Sequence, residues 1–588
     1  MPFKGSARLP LFWLLAAVLC CAACDRPASP LQRSAILVTI DTTRADALSP
    51  YGAPSYVSPF LDRLARECLR YTNARSVAPL TLPAHATMLT GLYPPRHAVR
   101  ENGLCPLPAS ALTLAEQARA SGVQTAAFVS ALVLDRVFAL DQGFDVYDQP
   151  PRPEQQDSSH YVERSATATI AAAQAWMRAR DPARPFFLWV HVYEPHVPYA
   201  PPEKFAAQAH GDLYRGEIAS VDAALGAWID GLAGDGTLEQ TFLAITSDHG
   251  ESLGEHGEPT HGAYCYDATM RVPLLLRYPD KRRAGVAEDL VTLADIAPTL
   301  AAALGLPPLT GIDGESLYDA SPPKDRGVYC ESYSGFLSYG WSPLSGWIAP
   351  AGKYLHSSRP EFYDLARDPH EVHDLFPEPK AAVDAARTGI DRVASRPSLY
   401  ATAAPEIPGS LVRDLRQLGY GASGTWLASM PGPLDAGELT APRDGASELE
   451  PLLIANALLD ARNFAEAAPI LERIVAANKR HLLALDLYGF ALLQLERYDE
   501  AREILVRRAK LTSPRADTLI NLGVACERSG RAEEAREHFE RALAVDSSTT
   551  QALEGLIRLA QARKDEPRVR ELEEKLKALR TPAKTEGH

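Results

Sequence analysis

Three apolar runs in this chain end alike. Ala35-Ile36-Leu37-Val38-Thr39-Ile40 is followed at once by Asp41, Phe186-Phe187-Leu188-Trp189-Val190 by His191 and then Glu194-Pro195-His196, and Thr241-Phe242-Leu243-Ala244-Ile245-Thr246 by Ser247-Asp248-His249-Gly250. Short continuous apolar runs are what strands buried on both faces require. Alternating with helical patterns from Ser34 to about Tyr420, they predict an α/β domain with a mostly parallel sheet. Such a sheet builds its active site just past the carboxyl ends of its strands, which is where these carboxylates and imidazoles fall.

From Glu448 onward the pattern is helical and repeats. Phe464, Tyr498 and Ala532 are 34 residues apart, as are Glu466, Glu500 and Glu534, and Gly489 and Gly523 keep the same step. The period, with Leu522-Gly523 and Arg531-Ala532-Glu533-Glu534-Ala535, resembles tetratricopeptide repeats. The resemblance implies an all-α solenoid over 448–580, about three repeats long, with a groove for a protein partner. Between the two bodies Met430-Pro431-Gly432-Pro433 breaks regular structure, and 421–447 is expected to be a loose linker after a domain spanning 34–420.

At 588 residues the chain is too long for one core, and 46% apolar with 23% charged residues is a globular composition. A net charge of -14 opposes nucleic acid binding but not a small anion, because a bound cation reverses the local field. Lys4 and Arg8 precede an apolar run, Leu9 to Cys24, too short to span a bilayer as a helix. Its end, Cys21-Ala22-Ala23-Cys24, resembles a bacterial lipoprotein signal, although Cys21 stands where leucine is usual. The resemblance implies a signal peptide over 1–24, export to the periplasm or cell surface, and membrane anchoring through lipid on Cys24. The five later cysteines, Cys68, Cys105, Cys265, Cys330 and Cys526, have no CxxC pair, which opposes a thiolate zinc site.

Thr81-Leu82-Pro83-Ala84-His85-Ala86-Thr87-Met88-Leu89-Thr90-Gly91 resembles the signature of the sulfatase family of the alkaline phosphatase superfamily. In that signature a cysteine oxidised to formylglycine precedes x-Pro-Ser-Arg and Leu-Thr-Gly; here Thr81, Ala84 and His85 replace the cysteine, serine and arginine. Threonine cannot become the aldehyde, but its hydroxyl can attack once a metal lowers its pKa. Threonine serves as nucleophile in phosphodiesterase branches of the superfamily. These include membrane-associated enzymes that move phosphoglycerol or phosphoethanolamine between lipids and glycans. Asp41-Thr42-Thr43-Arg44-Ala45-Asp46 resembles the family's N-terminal metal motif, with Thr42 in place of a usual second aspartate. Arg271-Val272-Pro273-Leu274-Leu275, Asp295-Ile296-Ala297-Pro298-Thr299-Leu300, Gly311-Ile312-Asp313-Gly314 and Glu361-Phe362-Tyr363-Asp364-Leu365 extend the resemblance in order along the domain. The implied fold is an alkaline-phosphatase-like three-layer sandwich.

The resemblance implies that Asp41, Asp248, His249 and Thr81 surround one divalent ion. The imidazole favours manganese or zinc over calcium or magnesium, which prefer all-oxygen shells. Thr81 at a helix N-terminus would face free N–H groups and a positive dipole end, although a threonine before a proline is also a common helix cap. His196 and His261 are the candidates to protonate the leaving oxygen, provided their pKa stays near neutral. Asn102, at the end of His97-Ala98-Val99-Arg100-Glu101, is a candidate donor to a non-bridging oxygen or else a turn residue. His191 reads equally as a packing or a functional residue, and His85 as a support behind the signature.

The activity expected is metal-dependent hydrolysis or transfer of phosphate, phosphonate or sulfate esters through Thr81, on a small anionic ester or an envelope glycan or lipid. The alternatives are a sulfuric ester hydrolase acting on sulfated saccharides, a two-metal phosphodiesterase with Glu194, His196 and His261 around a second ion, and an inactive repeat-bearing scaffold.

Overall fold

The computed structural model describes Met1 and residues 33–580 apart from 104, 151–163, 280, 400–429 and 513. The expected signal peptide, Cys24 and the first part of the expected linker lie outside the described residues. The large domain is organised on an eight-stranded sheet: β1 (Ser34–Ile40), β2 (Leu69–Arg75), β3 (Gln124–Phe128), β4 (Val146–Asp148), β5 (Phe186–Val192), β6 (Thr241–Thr246), β7 (Arg271–Arg277) and β8 (Gly285–Thr292). Their order is β4-β3-β5-β1-β6-β7-β2-β8, parallel throughout except for β7, which is antiparallel to both neighbours.

Side-chain alternation along β1 separates two cores. Ala35 and Leu37 join Leu82, Met88, Ile296 and Leu300 on one face, while Ile36, Val38 and Ile40 join Ile170, Ile218 and Leu225 on the other. Each such side chain, fully removed from water, contributes about 1.5–3 kcal/mol, so apolar residues at every position hold β1 between two helical layers. This is the expected three-layer sandwich. In the ladder Thr39 is opposite His191 of β5 and Thr246 of β6, so the ends of three adjacent strands bring Asp41, His191 and Asp248 together.

A second, antiparallel sheet follows, formed by β9 (Val328–Ser332), β10 (Leu344–Ala349), β11 (Gly352–His356) and β12 (Glu361–Tyr363) in the order β12-β11-β10-β9. Helix Lys380–Ala394 covers it, its Ile390 sharing a cluster with Tyr329 and Tyr354.

The repeat region comprises eight described helices in antiparallel pairs, and the second helix of each pair begins at Phe464, Tyr498, Ala532 or Glu566. The period therefore runs through four pairs rather than about three; the outer pairs keep the helix spacing while departing from the consensus residues. A Cβ on Gly523 would stand 2.6 Å from Phe539 Cε1, so the close approach of paired helices needs glycine there.

The described part of the expected linker is not loose. Ser345 Oγ donates to the Pro433 carbonyl at 2.5 Å and Ser342 Oγ to that of Ala436 at 3.0 Å. Trp341, fully buried, donates Nε1–H to Glu448 Oε2 at 3.1 Å, and Asn478 Nδ2 joins that same oxygen and the Tyr339 carbonyl, each at 2.9 Å. Aromatic burial and satisfied hydrogen bonds seat the first repeat on the second sheet, an association that a proline- and glycine-rich sequence does not announce. Among the described residues no helix is long and apolar enough to cross a membrane.

Candidate active site

Thr81 opens helix Thr81–Thr90, all ten residues of which are buried. The N-cap is Leu80, not Thr81, and Pro83 is the third residue rather than the first. The Thr81 hydroxyl is thus not spent on capping; Asn102 Oδ1 takes the Leu82 N–H at 2.9 Å instead. With that N–H occupied and none on Pro83, the helix start offers its dipole rather than the row of free amides expected. Asn102 is buried and its Nδ2 has no partner among the described residues. Two anchors hold this asparagine: Arg100 grips Glu331 of β9 through Nε at 2.7 Å and Nη2 at 2.5 Å, and Glu101 accepts from Ser334 Oγ at 2.8 Å.

Four atoms converge at the strand ends. His249 Nε2 lies 3.4 Å from Thr81 Oγ1, 3.6 Å from Asp248 Oδ2 and 3.8 Å from Asp41 Oδ1. His249 Nδ1 donates to the Gly250 carbonyl at 2.9 Å, which directs the Nε2 lone pair toward the two carboxylates. Asp248 Oδ1 accepts the backbone N–H of His249 at 2.8 Å, but Asp248 Oδ2 and both Asp41 oxygens are buried without a hydrogen-bond partner among the described residues. Burial, and then the facing Asp248, push the Asp41 carboxyl well above its usual range. Asp248 is held below that range: burial opposes its charge, but His249, His85 and His191 outweigh it. Two buried carboxylates with three bare oxygens are costly unless a cation lies between them. Asp41, Asp248 and His249 offer two carboxylates and one imidazole close enough together to hold a metal ion.

Around this centre His85 donates Nδ1–H to the Thr81 carbonyl at 2.7 Å and meets Thr39 Oγ1 at 3.0 Å, supporting the helix start as expected. His191 is functional in placement: its Nε2 is 3.4 Å from Asp41 Oδ2, and neither ring nitrogen has a hydrogen-bond partner among the described residues.

His196 and His261 sit together, their rings edge to face at 5.1 Å, with His261 also 4.6 Å from the His249 ring. His196 Nδ1 lies 2.8 Å from the Val197 carbonyl and 2.9 Å from Tyr193 OH, and His261 Nδ1 lies 3.1 Å from Glu251 Oε1. Burial pulls His196 down to about 3 and His261 to about 4, so neither is near neutral as expected from sequence. Glu258 ties the loop before His261: its carboxyl accepts from Ser252 Oγ and the Ala263 N–H, both at 2.7 Å, and burial raises it to about 8.

Glu194 does not join the histidines. Both its oxygens accept the Ala166 N–H, at 3.1 and 3.0 Å, at the start of helix Ala166–Ala179, and among the described residues it forms no ligand cluster with His196 and His261, the set of the alternative two-metal reading. Glu251, Tyr193 and Glu258 were not singled out by the sequence; only the position of Glu251 after Asp248-His249-Gly250 marked it.

The site is thus a buried cradle of carboxylates and an imidazole at the strand ends of an α/β sheet, facing a hydroxyl at a helix start. The sulfatase family model matches residues 33–306 and a tetratricopeptide repeat model matches 482–548, so the chain carries a sulfatase-family domain followed by tetratricopeptide repeats. An ulvan-active sulfatase of Formosa agariphila is 27% identical over 409 residues, covering 60% of this chain and 79% of that protein. A multifunctional alkaline phosphatase superfamily protein, PehA of Trinickia caryophylli, is 25% identical and covers 60% of this chain and 92% of its own length. The solved phosphonate monoester hydrolase of Agrobacterium radiobacter shares the fold with a TM-score of 0.51 and 24% identity, over 61% of this chain and 94% of that one.

Proposed function

We propose that this sulfatase-family enzyme cleaves phosphate or phosphonate esters through Thr81. The observation carrying this reading is the Thr81 hydroxyl, 3.4 Å from His249 Nε2 and beside the bare oxygens of Asp41 and Asp248. Asp41, Asp248 and His249 would hold a divalent ion, which supplies Lewis acidity to the hydroxyl and to the ester. Thr81 Oγ, its proton released to solvent, bonds to phosphorus as the bond to the leaving oxygen breaks. That oxygen takes a proton from His261, whose pKa, lowered to about 4 by burial, rises when the charge of the bound anionic ester favours the imidazolium, while Glu251 Oε1 at 3.1 Å holds its Nδ1–H. Asn102 Nδ2 donates to a non-bridging oxygen. Water, or an acceptor alcohol in a transferase, then displaces Thr81 from phosphorus, its proton restoring His261, while the released Thr81 Oγ takes back a proton from solvent. A lipid anchor on Cys24 would hold the enzyme at the envelope, and the repeats would bind a protein partner.

The second reading is sulfate ester hydrolysis, favoured by the sulfatases among the relatives and opposed by Thr81, which cannot form the aldehyde hydrate. Metal-reconstituted protein assayed on matched aryl sulfate, phosphate monoester, phosphodiester and phosphonate substrates separates the two. Faster cleavage of a phosphorus ester supports the proposal; a large excess of sulfate turnover removes it.

A further inference from the structure

The repeats do more than extend from the catalytic domain: they wall its mouth. A cleft of about 130 Å³ begins at His196 and His261 and is bounded by Leu80 and Val197 from the large domain. Its far side is made mainly of leucines, Leu449, Leu452, Leu453, Leu483 and Leu487, with Asn456 among them, from the first helices of the first two repeat pairs. Leu453 is 48% exposed, an unusual setting for a leucine beside a polar catalytic centre. Leu449, Leu452 and Leu459 already bury one stripe of helix Leu449–Asp460, so Leu453 and the neighbouring Ile454 are apolar beyond what the helix needs for its own packing.

We propose that these repeat leucines form the subsite for the departing alcohol and select esters of a compact apolar alcohol, such as an aryl or short branched alkyl group. The assignment rests on the proposed function, because it takes His196 and His261 to mark the leaving-group side of Thr81. Size supports it: an apolar cavity of about 150 Å³ holds a benzene ring, close to the space here. Chemistry supports it as well. Of the polar lining, Glu258 is already engaged by Ser252 and the Ala263 N–H and Ser334 by Glu101, while Thr260, Tyr339 and Asn456 complete the cleft; against the leucine side a sugar hydroxyl finds no partner, whereas an aryl group loses nothing.

The test uses full-length, metal-reconstituted enzyme and phosphonate monoesters of two phenols of similar acidity and size, 3-methylphenol and 3-(hydroxymethyl)phenol, with the methyl ester as reference. The native protein is expected to prefer the 3-methylphenyl ester by about 10–100-fold in kcat/KM. Leu453→Gln, a change at a half-exposed site, is expected to lower that ratio about tenfold while leaving the methyl ester within about twofold. An unchanged ratio in Leu453→Gln and in Leu487→Ala overturns the subsite. Binding of 3-methylphenol itself, followed by calorimetry, decides the case without turnover. If no ester is cleaved, the proposed function fails; binding by the native protein that is lost in Leu453→Gln still upholds the subsite, and equal binding or none refutes it.

Discussion

His191 Nε2 lies 3.4 Å from Asp41 Oδ2, at the ends of two neighbouring parallel strands, in a place where water does not reach. Thr42 occupies the position where the family usually supplies a second carboxylate, and its own hydroxyl is turned to the Pro195 carbonyl. If His191 orients the Asp41 carboxylate toward a cation, its loss should be felt in metal affinity. His191→Ala should weaken manganese or zinc binding roughly 10–100-fold, read by calorimetric titration; equal affinity would refute this role.

Thr81→Ala should lower kcat/KM by at least about 10³-fold, whereas Thr81→Ser should keep most of it. Because the side chain does not cap its helix, the melting temperature of both variants should stay within a few degrees of the native protein. Intact mass spectrometry of quenched native enzyme should show an added phosphoryl or phosphonyl group that Thr81→Ala lacks.

Glu251→Gln removes the carboxylate beside His261 Nδ1. The loss should reach about 10²-fold or more with alkoxide leaving groups and shrink toward nothing with 4-nitrophenol, which departs without a proton. A uniform loss across leaving groups would place Glu251 outside proton transfer.

Glu258 has a carboxyl raised from 4.5 to about 8, with burial as the cause. The folded protein then holds a proton that the unfolded chain gives up above pH 4.5, so this stabilisation is complete below 4.5 and is lost as pH rises to about 8. The melting temperature of the native protein should fall across that window relative to Glu258→Gln, whose amide stays neutral. Parallel curves from pH 4 to 9 would contradict the assignment.

Trp341 is buried where the second sheet meets the repeats and donates to Glu448. Trp341→Ala should cost about 3–5 kcal/mol and expose the 430–448 segment to limited proteolysis. A native cleavage pattern would show that the seat does not depend on the indole.

The sequence made the central sheet legible because β1, β5 and β6 are runs of mostly apolar residues, and it made Asp41, Thr81, Asp248 and His249 legible because each stands just past a strand end or opens a helix. What it hid depends on distant pairing. Nothing in Glu194-Pro195-His196 tells that the glutamate turns to the Ala166 N–H while the histidine meets a ring 65 positions away, at His261. Burial of His196 and His261 lowered their pKa because loops around them closed off water, an effect without local signature. The surplus apolar residues of Leu452-Leu453-Ile454 were the available sign that the first repeat faces something other than its own neighbours.

Tyr264, inside the stretch that the family model matches, and Trp341 and Leu449, beyond it, draw one continuous interior across the point where that match stops. The heritable module and the physical module of this protein therefore have different edges. Transplanting the sulfatase-like part alone into another chain would carry over the reacting groups but leave behind a side of the vessel in which they work.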